Sequence, residues 1–219
     1  MLAQGPAILN AIYTKIGYPK SGRIIEYLND LINTGFISRD FTWRMNSGKA
    51  AKLSQFRLKD NYLRFYLKYI EPSLSKILNS QWNSVATAAL PAWDSIMGLQ
   101  FENLVLNNRA AIHRLLDIKP ENIKAANPYF QRKTKQQSGC QIDYLVQTKY
   151  NMLFACEIKF SRNVITTSVI TEIKEKLQRL VIPKSFSCFP VLIHVNGVSD
   201  EIIDSGYFAK IINFSELLQ

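Results

Sequence analysis

The sequence predicts a mixed α/β chain in which a helix-turn-helix and a β-hairpin precede an α/β core with a central mixed sheet. Three observations predict it. Apolar residues recur at helical spacing from Pro6 to Gly35; a basic, alternating stretch follows from Phe36 to Leu58; and after residue 117 the apolar period shifts toward two.

In the first helix Ile8, Leu9, Ile12, Tyr13 and Ile16 form one stripe, and Gly17 with Pro19 closes it. Ser21 is suited to cap a second helix, whose stripe is Ile24, Ile25, Leu28, Leu31 and Ile32 and which ends at Gly35. The basic stretch through Trp43, Arg44, Lys49 and Lys52, then Gln55 to Leu58, fits a hairpin wing. Helix, turn, helix and hairpin is the winged-helix plan, in which the second helix is offered to a DNA groove. The same plan serves protein packing, and the few bases near this helix, Lys20 and Arg23, do not choose between the two uses. With Arg44 and Lys49 of the wing they are the candidate DNA-binding residues.

From Asp60 to Ile77 aromatic and long apolar residues (Tyr62, Leu63, Phe65, Tyr66, Tyr69, Ile70) suggest one buried helix. The chain then turns small and polar from Ser80 to Pro91, which places a domain boundary near 78/79: a winged helix with its following helix over 1–78 and an α/β domain over 79–219. Pro91 and Trp93 open a helix through Ile96, Leu99, Phe101 and Leu106. Strands are expected at Phe130–Thr134, Gln141–Thr148, Met152–Phe160 and Pro190–Val195, with an amphipathic helix through Ile165, Val169, Ile173, Leu177 and Leu180 between the last two.

Composition narrows the function classes. The net charge of +10 raises the prior for a polyanionic partner such as DNA, since phosphate contacts release counterions. No apolar run approaches the roughly 20 residues of a membrane span, and the first residues lack a signal-peptide pattern, so a cytoplasmic protein with no membrane partner is expected. Cys140, Cys156 and Cys188 are odd in number and lack CxxC spacing, which argues for reduced thiols. His113 and His194 read as surface or core residues.

The chemistry concentrates on the two middle strands. A hairpin turn at Lys149-Tyr150-Asn151 brings Asp143 opposite the neighbourhood of Glu157, and Glu157 and Lys159, two apart, share a strand face. Hard divalent ions such as Mg²⁺ or Mn²⁺ take carboxylate oxygens and keep several waters, so Asp143 and Glu157 suit one ion, with the Ile158 carbonyl as a further ligand. Lys159 would orient the attacking water or neutralise charge on a phosphoryl group. The plain alternative makes Glu157 and Lys159 an exposed strand pair. Yet the run from Leu153 to Phe160 reads as a central strand covered on both faces, where an unpaired charge costs several kcal/mol. Lys174, Lys176, Gln178 and Arg179 read as a solvated helix face.

Asp143, then Glu157-Ile158-Lys159, after a helix bearing Phe101-Glu102, resembles the PD-(D/E)xK nuclease motif. The segment from Phe56 to Tyr66 resembles the "YRLxDPFLRFW" stretch that follows the winged helix in archaeal-type P-loop ATPases, and Gly98 to Glu102 and Gln141 to Asp143 resemble that family's nuclease-like C-terminal domain. The resemblance implies a restriction-endonuclease-like α/β domain, a catalytic and metal-binding role for Glu102 beside Asp143 and Glu157, and a P-loop ATPase domain as partner, in the same full-length protein or in trans. Where the family often has Glu two residues before the Asp, this chain has Gln141. It holds no GxxxxGK[ST] loop, so no nucleotide site is expected in it, and it looks like a C-terminal fragment or a stand-alone relative. The expected function is a DNA-associated, Mg²⁺-dependent phosphodiester-cleaving module. The alternatives are a catalytically inactive DNA-binding or regulatory module and a protein-interaction platform.

Overall fold

The computed structural model describes residues 1–20, 22–81 and 90–217, so the expected cap at Ser21 lies outside the described residues. The chain is mixed α/β, with a two-stranded sheet and a five-stranded mixed sheet. It divides into two compact units: residues 1–40 with 54–103, and residues 41–53 with 104–219. That differs from the boundary near 78/79 suggested by composition.

In the first unit, α1 (Leu9–Ile16) ends at Gly17, whose φ of 66° is the left-handed turn that glycine adopts without a Cβ penalty. Helix α2 (Gly22–Asn33) turns Ile24 and Leu28 inward. They pack with Ile12, Tyr13, Ile37, Phe56 and Leu58 into one core. Ala7 bridges Phe56 through two backbone hydrogen bonds of 2.9 and 2.8 Å, adding a short third partner to the hairpin of β1 (Ile37–Trp43) and β2 (Ala50–Leu58).

The stretch from Phe56 to Tyr66 ties this unit together. Buried Arg57 pairs with Asp40 at 2.9 Å and hydrogen-bonds Asn103. Asp60 caps α3 (Asn61–Phe65) by accepting the Leu63 N–H. Arg64, 1% exposed, donates to the carbonyls of Leu2, Ala3 and Leu58. Burial, partly offset by the charge of Glu102, lowers its pKa to about 10. The single buried helix expected over residues 60–77 is therefore corrected. After α3 the chain widens into a π-helical turn (Tyr66–Ile70) and then tightens into a 3-10 turn holding Pro72, which breaks the regular helix before the short α4 (Leu74–Leu78). Arg64 takes the core position, and Tyr62 is 74% exposed.

Helix α5 (Trp93–Asn107) passes from the first unit into the second, where α6 (Arg109–Leu115) precedes the sheet. The strands are β3 (Ile123–Gln131), β4 (Cys140–Thr148), β5 (Met152–Lys159), β6 (Ser187–His194) and β7 (Lys210–Asn213), in that spatial order. The β3, β4 and β5 pairs are antiparallel, and β6 and β7 add in parallel. Helix α7 (Ser168–Arg179) makes the β5-to-β6 crossover, and α8 (Asp200–Asp204) the next. The expected strand Phe130–Thr134 is corrected to one beginning seven residues earlier, because β3 carries Pro128 at a register shift, a position an edge strand tolerates. The four-residue β7 carries too short a period to be seen in the sequence.

Apolar clusters of described residues hold the sheet. Val169 and Ile173 of α7 pack with Leu192, Ile202 and Phe208. Trp43 and Met45, from the hairpin tip, join Tyr129, Ile142, Leu145, Leu153 and Leu180. Trp43 lies 5.0 Å edge-on from the Tyr129 ring, and Gln147, wholly buried, accepts its indole N–H and donates to the Met45 carbonyl at 2.7 Å. The tip of the expected wing is thus core material of the second unit. Among the described residues no helix is long and apolar enough to cross a membrane.

Candidate functional site

Asp143 stands one residue past the last β4–β5 ladder pair, Tyr144 opposite Cys156. There its side chain replaces the backbone partner: Oδ2 accepts the Ile158 N–H at 2.9 Å. That bond fixes the carboxylate where the two strands part. Glu157 is 4% exposed and in register with Leu192 of β6, so its carboxylate faces the side on which α7 packs.

A buried carboxylate needs a partner, and Glu157 has two. Lys176 of α7 donates to both its oxygens, at 2.6 and 2.7 Å, and stands 4.0 Å from Asp143 Oδ1. Lys159 lies 3.3 Å from Glu157 Oε1 and 2.6 Å from Glu172 Oε2. Burial lowers the pKa of both lysines, but the charges of Asp143 and Glu157 on Lys176, and the Glu172 hydrogen bond on Lys159, outweigh it and leave both above the ordinary lysine value. Among the described residues, the carboxylates of Asp143, Glu157 and Glu172 thus gather around the ammonium groups of Lys159 and Lys176.

The structure brings Lys159 to Glu157, and brings Asp143 and Glu157 to one ammonium group, that of Lys176. It corrects the reading of Lys176 as part of a solvated helix face. The signal was in the sequence: Val169, Ile173, Lys176 and Leu180 share one helical stripe, so a lysine stands where an apolar residue belongs. Glu172, four residues before Lys176, is the other missed member. A cleft of about 220 Å³, lined by Lys159, Ser161, Thr166, Ser168 and Glu172, opens beside the cluster. It is several times the roughly 30 Å³ one water takes.

Glu102 lies on the part of α5 that belongs to the first unit, where its charge acts on Arg64. Among the described residues no group of three or more His, Cys, Asp or Glu side chains comes together as a metal cage. The donor chemistry still fits a hard divalent ion in kind. Two carboxylates converge on one cationic point, at which the Lys176 ammonium stands. Lys20, Arg23, Arg44 and Lys49 are all exposed. His113 Nε2 pairs with the buried Tyr144 hydroxyl at 2.6 Å, whereas His194, buried in β6, stands in register with Lys159 of β5.

The chain matches no protein-family model and no curated protein. Among solved structures it is similar to protein VC1899 from Vibrio cholerae, with 12% identity and a TM-score of 0.40, over 90% of this chain and 40% of that one. The chain thus spans well under half the length of that protein.

Proposed function

We propose that the chain is a DNA-associated module whose Asp143, Glu157 and Lys159 carry divalent-metal-dependent phosphodiester hydrolysis, in a winged-helix plus restriction-endonuclease-like arrangement. The observation that carries the reading is the convergence of the Asp143 and Glu157 carboxylates on one cationic point beside Lys159. Asp143 and Glu157 would hold Mg²⁺ or Mn²⁺, and the ion when bound supplies Lewis acidity to the phosphoryl oxygen and to a water. The chain's own contributions are three. The Ile158 N–H holds Asp143 in place, Glu172 holds Lys159 at the mouth of the cleft, and Lys159 presents an ammonium group to a phosphate placed there. Glu102 and a P-loop ATPase partner belong to the same reading through the family resemblance alone.

The test is cleavage of supercoiled, linear and single-stranded DNA with Mg²⁺ or Mn²⁺. Activity lost in Asp143→Ala and Glu157→Gln supports the assignment, and activity retained in Asp143→Ala removes it. One observation favours a second reading, an inactive DNA-binding or regulatory module: Lys176 already satisfies both oxygens of Glu157. Titration calorimetry separates the two readings, because the inactive module binds DNA without binding Mg²⁺ or Mn²⁺.

A further inference from the structure

The excess charge is not spread evenly over the chain. Residues 41–53 with 104–219 hold eighteen Lys and Arg against ten Asp and Glu, a net of +8. Residues 1–40 with 54–103 hold nine against seven, a net of +2. The second helix of the helix-turn-helix, α2, carries one base, Arg23, against Glu26 and Asp30, and exposes Ile25, Tyr27 and Leu31. A surface of that kind repels a phosphate backbone more than it attracts one.

Two segments of the second unit have the opposite character. Residues 41–53 contain Arg44, Lys49 and Lys52 and no carboxylate, and the β3–β4 loop, residues 132–139, contains Arg132, Lys133 and Lys135 and again none. All six cations are exposed. The two segments border the same two clefts. Lys52, Arg132 and Gln137 line one, Arg44, Ser47 and Gln137 line the other, and Tyr129 and Gln131 are common to both. Amide and hydroxyl groups between cations are the mixture that meets phosphate and sugar oxygens.

The geometry of this surface is fixed rather than loose. Thr134 accepts the N–H groups of Gln136 and Gln137, and its own N–H goes to the Gln137 carbonyl at 2.9 Å. Gln131 donates to the carbonyls of Ser138 and Arg179 and accepts the Val181 N–H, tying the loop to the end of α7. At the tip, Gly48 has φ +71°, and a Cβ there would lie 2.6 Å from the Lys124 side chain, which packs across it and brings a seventh cation. The surface also leads to the candidate site. Asp143 is three residues into β4, the strand the loop feeds, and the Cys140 thiol donates to the backbone carbonyl of Lys176.

We infer that the hairpin tip and the β3–β4 loop form the phosphate-binding surface of this chain, and that nucleic acid is held there rather than on α2. The inference rests on the reading of the chain as a nucleic-acid module and says where the backbone lies. Each cation in contact with a phosphate contributes about 0.9 to the slope of log affinity against log salt on duplex DNA.

Binding of the full chain to a labelled DNA duplex and to a single strand of the same sequence is measured by fluorescence anisotropy, with EDTA present so that nothing is cut, between about 50 and 200 mM salt. The expected result is that Arg132→Glu/Lys133→Glu/Lys135→Glu weakens binding at least about tenfold and lowers the slope by about 3. Arg44→Glu/Lys49→Glu/Lys52→Glu does the same, while Lys20→Glu/Arg23→Glu changes neither, all with wild-type circular dichroism. Loss in the α2 variant with retention in the other two overturns the inference and leaves the nuclease reading standing. Equal, equally charge-dependent binding of phosphatidylserine vesicles overturns it in favour of a lipid surface. A wild-type chain that binds neither nucleic acid overturns the reading and the inference together.

Discussion

Lys176 decides how the carboxylate pair behaves before any ligand arrives. Its ammonium group neutralises a carboxylate that is 4% exposed, so removing it leaves Glu157 with the Lys159 ammonium group, 3.3 Å away. Breaking a fully buried pair costs roughly 3–5 kcal/mol, and Lys176 is part-exposed, so Lys176→Met is expected to destabilise the chain by about 2 kcal/mol, read from urea unfolding. The same variant should bind Mn²⁺ more tightly than wild type, because the ion then meets no resident cation. Unchanged or weaker Mn²⁺ binding would remove the idea that lysine and metal share one place. The histidines set the acid side. Burial, joined at His113 by the Arg109 guanidinium, lowers the pKa of both imidazoles in the folded chain. A depressed histidine pKa means that the unfolded chain takes up protons first, so this stability is complete above pH 6.5 and is lost as pH falls through the folded value. The melting temperature should therefore drop below pH 6.5, and His113→Gln should flatten part of that slope; an unaltered slope would assign it elsewhere. At this scale Asp143, Glu157 and Lys159 were legible because strand alternation is local. Lys176 was legible only as a charge on an apolar stripe, and its partner lies 19 residues back on another element.

Elements were legible where their period is long and unbroken. Helices α1, α2 and α7 form where their apolar stripes run, although Ile16, Ile25 and Leu31 of those stripes are exposed, whereas β3 is hidden by Pro128, and β7 by its four residues. The hairpin is the instructive case. Its basic, alternating sequence reads as a wing, and nothing local says that Trp43 will be buried against Gln147, 104 residues on. The tip therefore combines two jobs, an apolar side chain anchoring the sheet's core and cations turned outward around it. Trp43→Ala should cost about 3–5 kcal/mol, as deletion of a buried Trp does. The loss should be visible in circular dichroism melting and in a changed environment for the Tyr129 ring that Trp43 touches. Near-wild-type stability would mean that the tip is only laid on the surface.

For the whole chain, connectivity and compactness disagree, and that disagreement has a consequence. Composition shifts near residue 78, and a boundary there would make 79–219 self-sufficient. The compact unit that contains the sheet nevertheless includes residues 41–53, with Trp43 at 5% and Met45 at 5% exposure in the cluster around Leu145 and Leu153. A fragment spanning 79–219 would lack both side chains and leave that cluster open to water. Burial of each such side chain contributes roughly 1.5–3 kcal/mol, and the Gln147 amide, wholly buried, would also lose the indole and the Met45 carbonyl it bonds. Against a domain stability of about 5–15 kcal/mol the deficit is large. The fragment 79–219 is therefore expected to bind a hydrophobic dye, to show collapsed amide dispersion in NMR, and to lose cooperative unfolding, while residues 1–219 unfold cooperatively. Adding a peptide of residues 41–53 in trans should restore part of the order, because the missing groups belong to that segment. A fragment that unfolds cooperatively at the wild-type temperature would show that the hairpin tip is dispensable to the sheet and that the sheet domain begins at the composition boundary.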